Sequence, residues 1–253
     1  MAITYGVDVS KYQAHDKTGK SLVTWKELYE DGARFAIIRA SIGAVADPTF
    51  KAHVDGAREA GLVVGAYHYL YWQIPVEKQA DVFLKTIAGA GISRGFCDVE
   101  QQLAVDQPGA SVTSVLVQRW LTYVWGGMKL IPAIYSRKNI WQTFGSKADW
   151  VKLHDYWGAW YGSTSQYELR ISDDLVYRFE RTMVPAPWKE WTLFQYSEKG
   201  AGYVEGGGPI DMDVFNGDVG KCLAWFGKEP AASDTEYPPD ALAKLWAAHP
   251  ELH

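Results

Sequence analysis

The chain is poor in the residues that mark several common functions. Only two cysteines, Cys97 and Cys222, occur in 253 residues, so neither a disulfide framework nor a cysteine-rich zinc site can be built. Cys97 falls inside an apolar run and reads as a buried free thiol rather than one end of a bridge to Cys222. The six histidines show no H-E-x-x-H or other metal spacing, and His68 in "AYHY" reads as a packed, hydrogen-bonded strand residue. No G-x-S-x-G elbow occurs, no G-x-G-x-x-G opens a helix, and "GGGP" at 206–209 precedes an apolar run and reads as a turn. The net charge is −5 and Lys and Arg form no run, which argues against nucleic acid or an anionic membrane as partner. No stretch approaches the ~20 apolar residues of a membrane span. The opening "MAITYGVDVS" has neither a basic segment nor a long apolar one, so no export signal is expected there.

Aromatic residues are plentiful instead, with 12 Trp and 15 Tyr. Most must serve packing, but such an excess also suits a sugar-binding groove, where flat rings stack on sugar faces and the polar tip hydrogen-bonds. Eight short β-rich runs stand out, at 3–10, 35–41, 62–72, 95–100, 130–136, 155–162, 191–197 and 210–215, with amphipathic helical segments at 24–33, 48–61, 75–91 and 111–127. The alternation predicts a parallel sheet with crossover helices. Eight strands in one α/β domain favour a TIM-barrel-like (β/α) barrel, irregular and flattened because helices dwindle after the fifth strand and 162–190 reads as a long loop. The barrel is expected to occupy 1–227, followed over 228–253 by a Pro-rich linker and a short C-terminal helix.

Carboxylates end several of these runs. In "FCDVE", alternation places Phe96, Asp98 and Glu100 on one face and Cys97 and Val99 on the other. The apolar pair suits the helix side, so the acids point into the barrel. Burying two carboxylates costs several kcal/mol unless they are paired or solvated, which places them at the open rim where barrel active sites lie. By the same test Asp8 in "YGVDVS" and both Asp211 and Asp213 in "IDMDVF" also face inward. Tyr67, Tyr69, Tyr135, Trp160 and Gln195 stand on inward faces or near strand ends and would line the same cleft.

The ordered set "GVDVSKYQ", "FAIIRAS", "GAYHYLYW", "DVE", "PAIYS", "LFQYS" and "IDMDVF" resembles the glycoside hydrolase family 25 lysozymes, over about residues 3–225. The resemblance implies an N-acetylmuramidase that cleaves the β-1,4 bond between N-acetylmuramic acid and N-acetylglucosamine in peptidoglycan, without metal or organic cofactor. It implies Glu100 as general acid, Asp98 as its carboxylate partner, and Asp8 and Asp211 completing an acidic cluster. Substrate contacts are expected from Tyr67, Tyr69, Tyr135, Trp160, Gln195 and, ranked below Asp211, Asp213. Repulsion from Asp8, Asp98 and Asp211 is expected to raise the Glu100 pKa. The D-x-E spacing fits neither the double-displacement nor the inverting geometry decisively, so attack by the substrate's own 2-acetamido group, oriented by Asp98, is favoured. The expected partner is the glycan strand, met by a monomer that acts on the bacterial wall after synthesis in the cytoplasm and release at lysis, as in a phage or prophage. Two other readings stay open: an inactive barrel that only binds wall or chitin, and a chitinase-like glycosidase.

Overall fold

The computed structural model describes residues 2–15, 18–100, 110–143, 145, 147–162 and 166–227. The linker and helix expected over 228–253 lie outside the described residues.

Nine strands form one closed sheet. They are β1 (Thr4–Val9), β2 (Ala33–Ile42), β3 (Val45–Ala46), β4 (Val63–Tyr69), β5 (Gly95–Asp98), β6 (Ala133–Ser136), β7 (Tyr156–Ala159), β8 (Leu193–Gly200) and β9 (Ile210–Phe215). Strand order runs β1-β9-β8-β7-β6-β5-β4-β2-β3, and a β1–β2 pairing closes eight of them into a barrel, leaving the two-residue β3 as a flap on β2. Each of the eight expected runs overlaps a barrel strand. The expectation of a parallel sheet fails for the last one, because β9 is antiparallel to both β8 and β1. Only nine residues separate β8 from β9, and a parallel return needs a dozen or more, so this link can only be a hairpin-like turn. Gly206 and Gly207, at φ +84° and +83°, make that turn in a region closed to most side chains.

Helices α1 (Trp25–Glu30), α2 (Phe50–Glu59), α3 (Val76–Ile87) and α4 (Ala110–Met128) follow the expected segments. Short α5 (Lys138–Trp141), then α6 (Asp173–Thr182) and α7 (Val219–Gly227), complete the set. Helix α6 corrects the reading of 162–190 as loop. Ser172 caps it by accepting the Leu175 N–H, Asp173 and Asp174 sit in its first turn where the helix dipole favours acids, and Leu175, Val176 and Phe179 form its buried stripe. That signature was present in "SDDLVYRF".

The core has two layers. Cys97, Val99, Ile134, Phe194, Met212 and Val214 face outward into the helix layer. Phe35, Ile37, Phe96, Leu193 and Phe215 face inward, where Cys222 and Phe226 of α7 join them and plug the lower end of the barrel. The Phe226 ring stacks on Phe35 at 5.2 Å. Both cysteines are free and buried. His68 packs in the strand as expected, with Nδ1 2.7 Å from the Ser41 hydroxyl and Nε2 3.1 Å from the Gln79 amide oxygen on α3.

Candidate active site

Five carboxylates converge at the upper mouth of the barrel. Asp8, Asp98, Glu100, Glu198 and Asp211 line one cleft of about 150 Å³ together with Tyr67, Tyr135, Trp157, Tyr161, Gln195 and Arg137. The antiparallel run of β9 is what assembles them. Asp211, the second residue of β9, lies directly opposite Asp8 near the end of β1, whereas a parallel strand would have put it at the plugged end.

Strand β5 ends at Asp98, and Glu100 follows just beyond, so the first acid is buried and the second reaches the opening. Asp98 is 4% exposed, and its Oδ1 is buried without a hydrogen-bond partner. Burial first, then the charges of Glu100 and Asp8, push its pKa well above the usual carboxylate range. Glu100 is also raised, chiefly by burial, while the Arg137 charge and the Tyr135 hydroxyl oppose the shift and Glu198 adds to it. This corrects the expected cause, since desolvation rather than repulsion from Asp8, Asp98 and Asp211 dominates at Glu100. The two acids titrate as a pair.

Gln195 fixes the floor. Its Oε1 accepts from the Tyr135 hydroxyl at 2.9 Å and the Tyr161 hydroxyl at 2.7 Å, which turns Nε2 to donate to Asp8 Oδ2 at 2.6 Å. Burial and the neighbouring Asp213 charge hold the Asp8 pKa well above normal despite that donor. Asp211 is raised in the same way, by burial and then by Asp8.

Three expected contacts sit elsewhere. Asp213 is fully buried beneath the cleft, accepting from Trp157 Nε1 at 2.8 Å, with its pKa pushed up to about 8 mainly by burial. Tyr69 faces the charges of Asp98 and Glu100, but it does not line the cleft. Trp160 also lies outside this cleft. It packs against the outer layer and borders a neighbouring cleft, because alternation along β7 and its extension sends Trp157, Ala159 and Tyr161 inward and leaves Trp160 outward. Tyr67, Tyr135 and Gln195 do line the cleft. The sequence reading missed Trp157, Tyr161, Arg137 and Glu198. Strict alternation through "YWGAWY" would have found the first two.

Arg137 spans the opening. It lies 4.0 Å from Glu100 and 3.8 Å from Glu198, and its Nη2 donates to the Tyr161 hydroxyl at 3.0 Å. A buried ion pair, Arg39 Nε to Asp47 Oδ2 at 2.8 Å, stands at the β2 wall. Asp47 there also accepts from the Thr49 N–H and hydroxyl and stays below the usual carboxylate range. Among the described residues no group of three or more His, Cys, Asp or Glu could hold a metal ion.

A closed mixed barrel whose mouth holds a coupled carboxyl pair among tyrosines and tryptophan has the equipment of a carbohydrate-cleaving hydrolase. Comparison with known proteins gives the family. The model of glycosyl hydrolases family 25 matches residues 7–204, and the chain belongs to that family and is a glycoside hydrolase. It is 30% identical over 225 residues to YegX, a protein of unassigned activity from Escherichia coli O6:H1, covering 85% of this chain and 70% of that one. It is 27% identical over 236 residues to lysozyme M1 of Streptomyces globisporus, covering 87% and 70%. The fold is shared with the family 25 lysozyme of Aspergillus fumigatus at a TM-score of 0.70 and 24% identity, covering 90% of this chain and all of that one.

Proposed function

We propose that the chain is an N-acetylmuramidase that hydrolyses the β-1,4 bond between N-acetylmuramic acid and N-acetylglucosamine in peptidoglycan, with Glu100 as general acid. The observation that carries this reading is the pairing of a deeply buried Asp98 with a Glu100 that reaches the opening, both raised in pKa, at the end of β5. Membership of family 25 and the likeness to a Streptomyces lysozyme support the substrate class.

Glycoside cleavage needs one protonated acid at the leaving oxygen and one carboxylate that stabilises the oxocarbenium-like transition state. In the free site burial raises both acids, and the Glu100 charge raises Asp98 further, so ionising both at once is disfavoured. Asp98 Oδ1 lacks a donor. A substrate acetamide N–H would supply one, favour the ionised form of Asp98 and leave the proton on Glu100. The acetamide carbonyl, so oriented, would attack the anomeric carbon as the bond to the protonated leaving oxygen breaks, and water would then open the resulting ring. Asp8 and Asp211 complete the negative wall, and Gln195 holds Asp8 in place. The acid cluster would act on the bacterial wall.

The test is Glu100→Gln on a peptidoglycan suspension, with mass spectrometry of the released ends. Reducing muramic acid ends from the wild type and none from the variant are expected. Equal clearing by both forms would leave only a wall-binding barrel, and reducing glucosamine ends would favour the chitinase-like reading. A substrate lacking the acetamide carbonyl that turned over at an unchanged rate would exclude the acetamido route.

A further inference from the structure

Beside the acidic cleft lies a second one of about 440 Å³, lined by Arg137, Lys138, Asn139, Trp160 and Tyr161 among others. The two clefts share Arg137 and Tyr161, so a bound chain could occupy both at once. Their electrostatics differ. Among the lining residues of the first, Arg137 is the one cation against five carboxylates. In the second, Arg137 and Lys138 stand together and, among the described residues, no carboxylate lines the wall.

We propose that Arg137, supported by Lys138, forms an anion subsite for a carboxylate on the 3-O substituent of the muramyl ring whose anomeric bond is cut. This rests on the muramidase reading above. A ring held with its anomeric carbon at Glu100 carries its 3-O substituent within a few bond lengths of the reacting centre. A carboxylate on that arm would meet repulsion from five acids unless a cation received it, and Arg137 is the cation at the border. Its guanidinium is positioned by the Tyr161 hydroxyl at 3.0 Å and lies over the Tyr161 ring at 5.0 Å, and its side chain remains about one-third exposed. Its present carboxylate neighbours are at 3.8 and 4.0 Å, beyond direct hydrogen-bond distance, so a substrate carboxylate could take the bidentate geometry that neither now occupies. Lys138 is anchored to the Thr182 carbonyl, which holds its ammonium at the rim of the same cleft. A neutral chitin chain offers nothing to this pair, so the subsite would favour muramyl over purely glucosaminyl strands.

The carboxylate could be the free lactyl group of a stripped strand or one belonging to a stem peptide. The experiment measures kcat/KM on glycan strands freed of peptide, on the same strands with lactyl carboxylates converted to methylamides, and on peptide-bearing strands with the peptide's own carboxylates either free or likewise amidated. Arg137→Gln should lose about tenfold or more on carboxylated strands and far less on the neutralised ones, while Arg137→Lys should keep part of the preference and Lys138→Ala should show a smaller loss in the same direction. Loss confined to stripped strands assigns the lactyl group, and loss confined to peptide-bearing strands assigns the peptide. An equal loss on carboxylated and neutralised strands, or none on either, overturns the subsite, since an effect of Arg137 on Glu100 alone would fall on every substrate alike. A wild type that cleaves none of the strands would instead bring down the muramidase reading.

Discussion

The two ends of the barrel interior are built from the same strands and differ completely. At the lower end Phe35, Phe96, Leu193 and Phe215 meet Phe226 of α7 in a dry plug. At the upper end the inward residues two or four places along those strands are Arg39, Asp98, Gln195, and Asp213 with Asp211. Trp157 divides the levels, its ring against Phe96 at 5.3 Å and its Nε1 bound to Asp213 at 2.8 Å. One step of the strand's two-residue period thus exchanges an apolar layer for a charged one. The lower layer supplies burial free energy, which allows the upper layer to hold carboxyl groups that destabilise the fold but have the pKa values that acid catalysis needs.

Changes at each end should separate these roles. Glu100→Gln at the mouth is expected to lower kcat by about 10²–10⁴ while leaving the urea midpoint unchanged or raised, measured by turnover and equilibrium unfolding. Phe226→Ala at the plug should do the reverse, costing about 3–5 kcal/mol of stability with kcat of the folded fraction retained. A large fall in kcat at full folding would show that the ends are coupled. Trp157→Phe at the divide should cost about 1–3 kcal/mol, because buried Asp213 loses its donor, and a loss below the error of a denaturant titration would remove Trp157 from that role.

A further effect expected is one of pH. Asp213 is raised from the ordinary 3.8 to about 8, so the native state keeps a proton that the unfolded chain releases. Its contribution to stability is complete below pH ~4 and is lost as pH rises through about 8. Asp213→Asn should therefore flatten the decline of unfolding free energy between those limits, and an unchanged slope would place the proton elsewhere in the cluster. Activity should fall as rising pH takes the proton from the raised Glu100, and Arg137→Gln should move that limb upward by removing the charge that opposes the shift.

Much of this was legible from the chain. Period-two alternation in "FCDVE" and "GVDVS" set the facing of Asp98, Glu100 and Asp8, and the turn chemistry of "GGGP" marked the link before the last strand. Trp160 borders the neighbouring cleft and not the acidic one, because its register from Trp157 turns it outward. Glu198 and Arg137 were missed because each lies just past an expected run; β8 in fact continues to Gly200, but register shifts beyond Gln195 break its alternation, and Arg137 is significant only for what it spans.

By itself, then, the sequence determined the number of barrel strands, the inward facing of five acids and the family, since all three depend on local periodicity and motif order. Tertiary structure decided which acids meet. A nine-residue link too short for a crossover reversed β9, and that reversal carried Asp211 from the plugged end to the mouth, opposite Asp8. It also decided how strongly each acid holds its proton, because desolvation depends on what closes over a side chain and not on its neighbours in the chain.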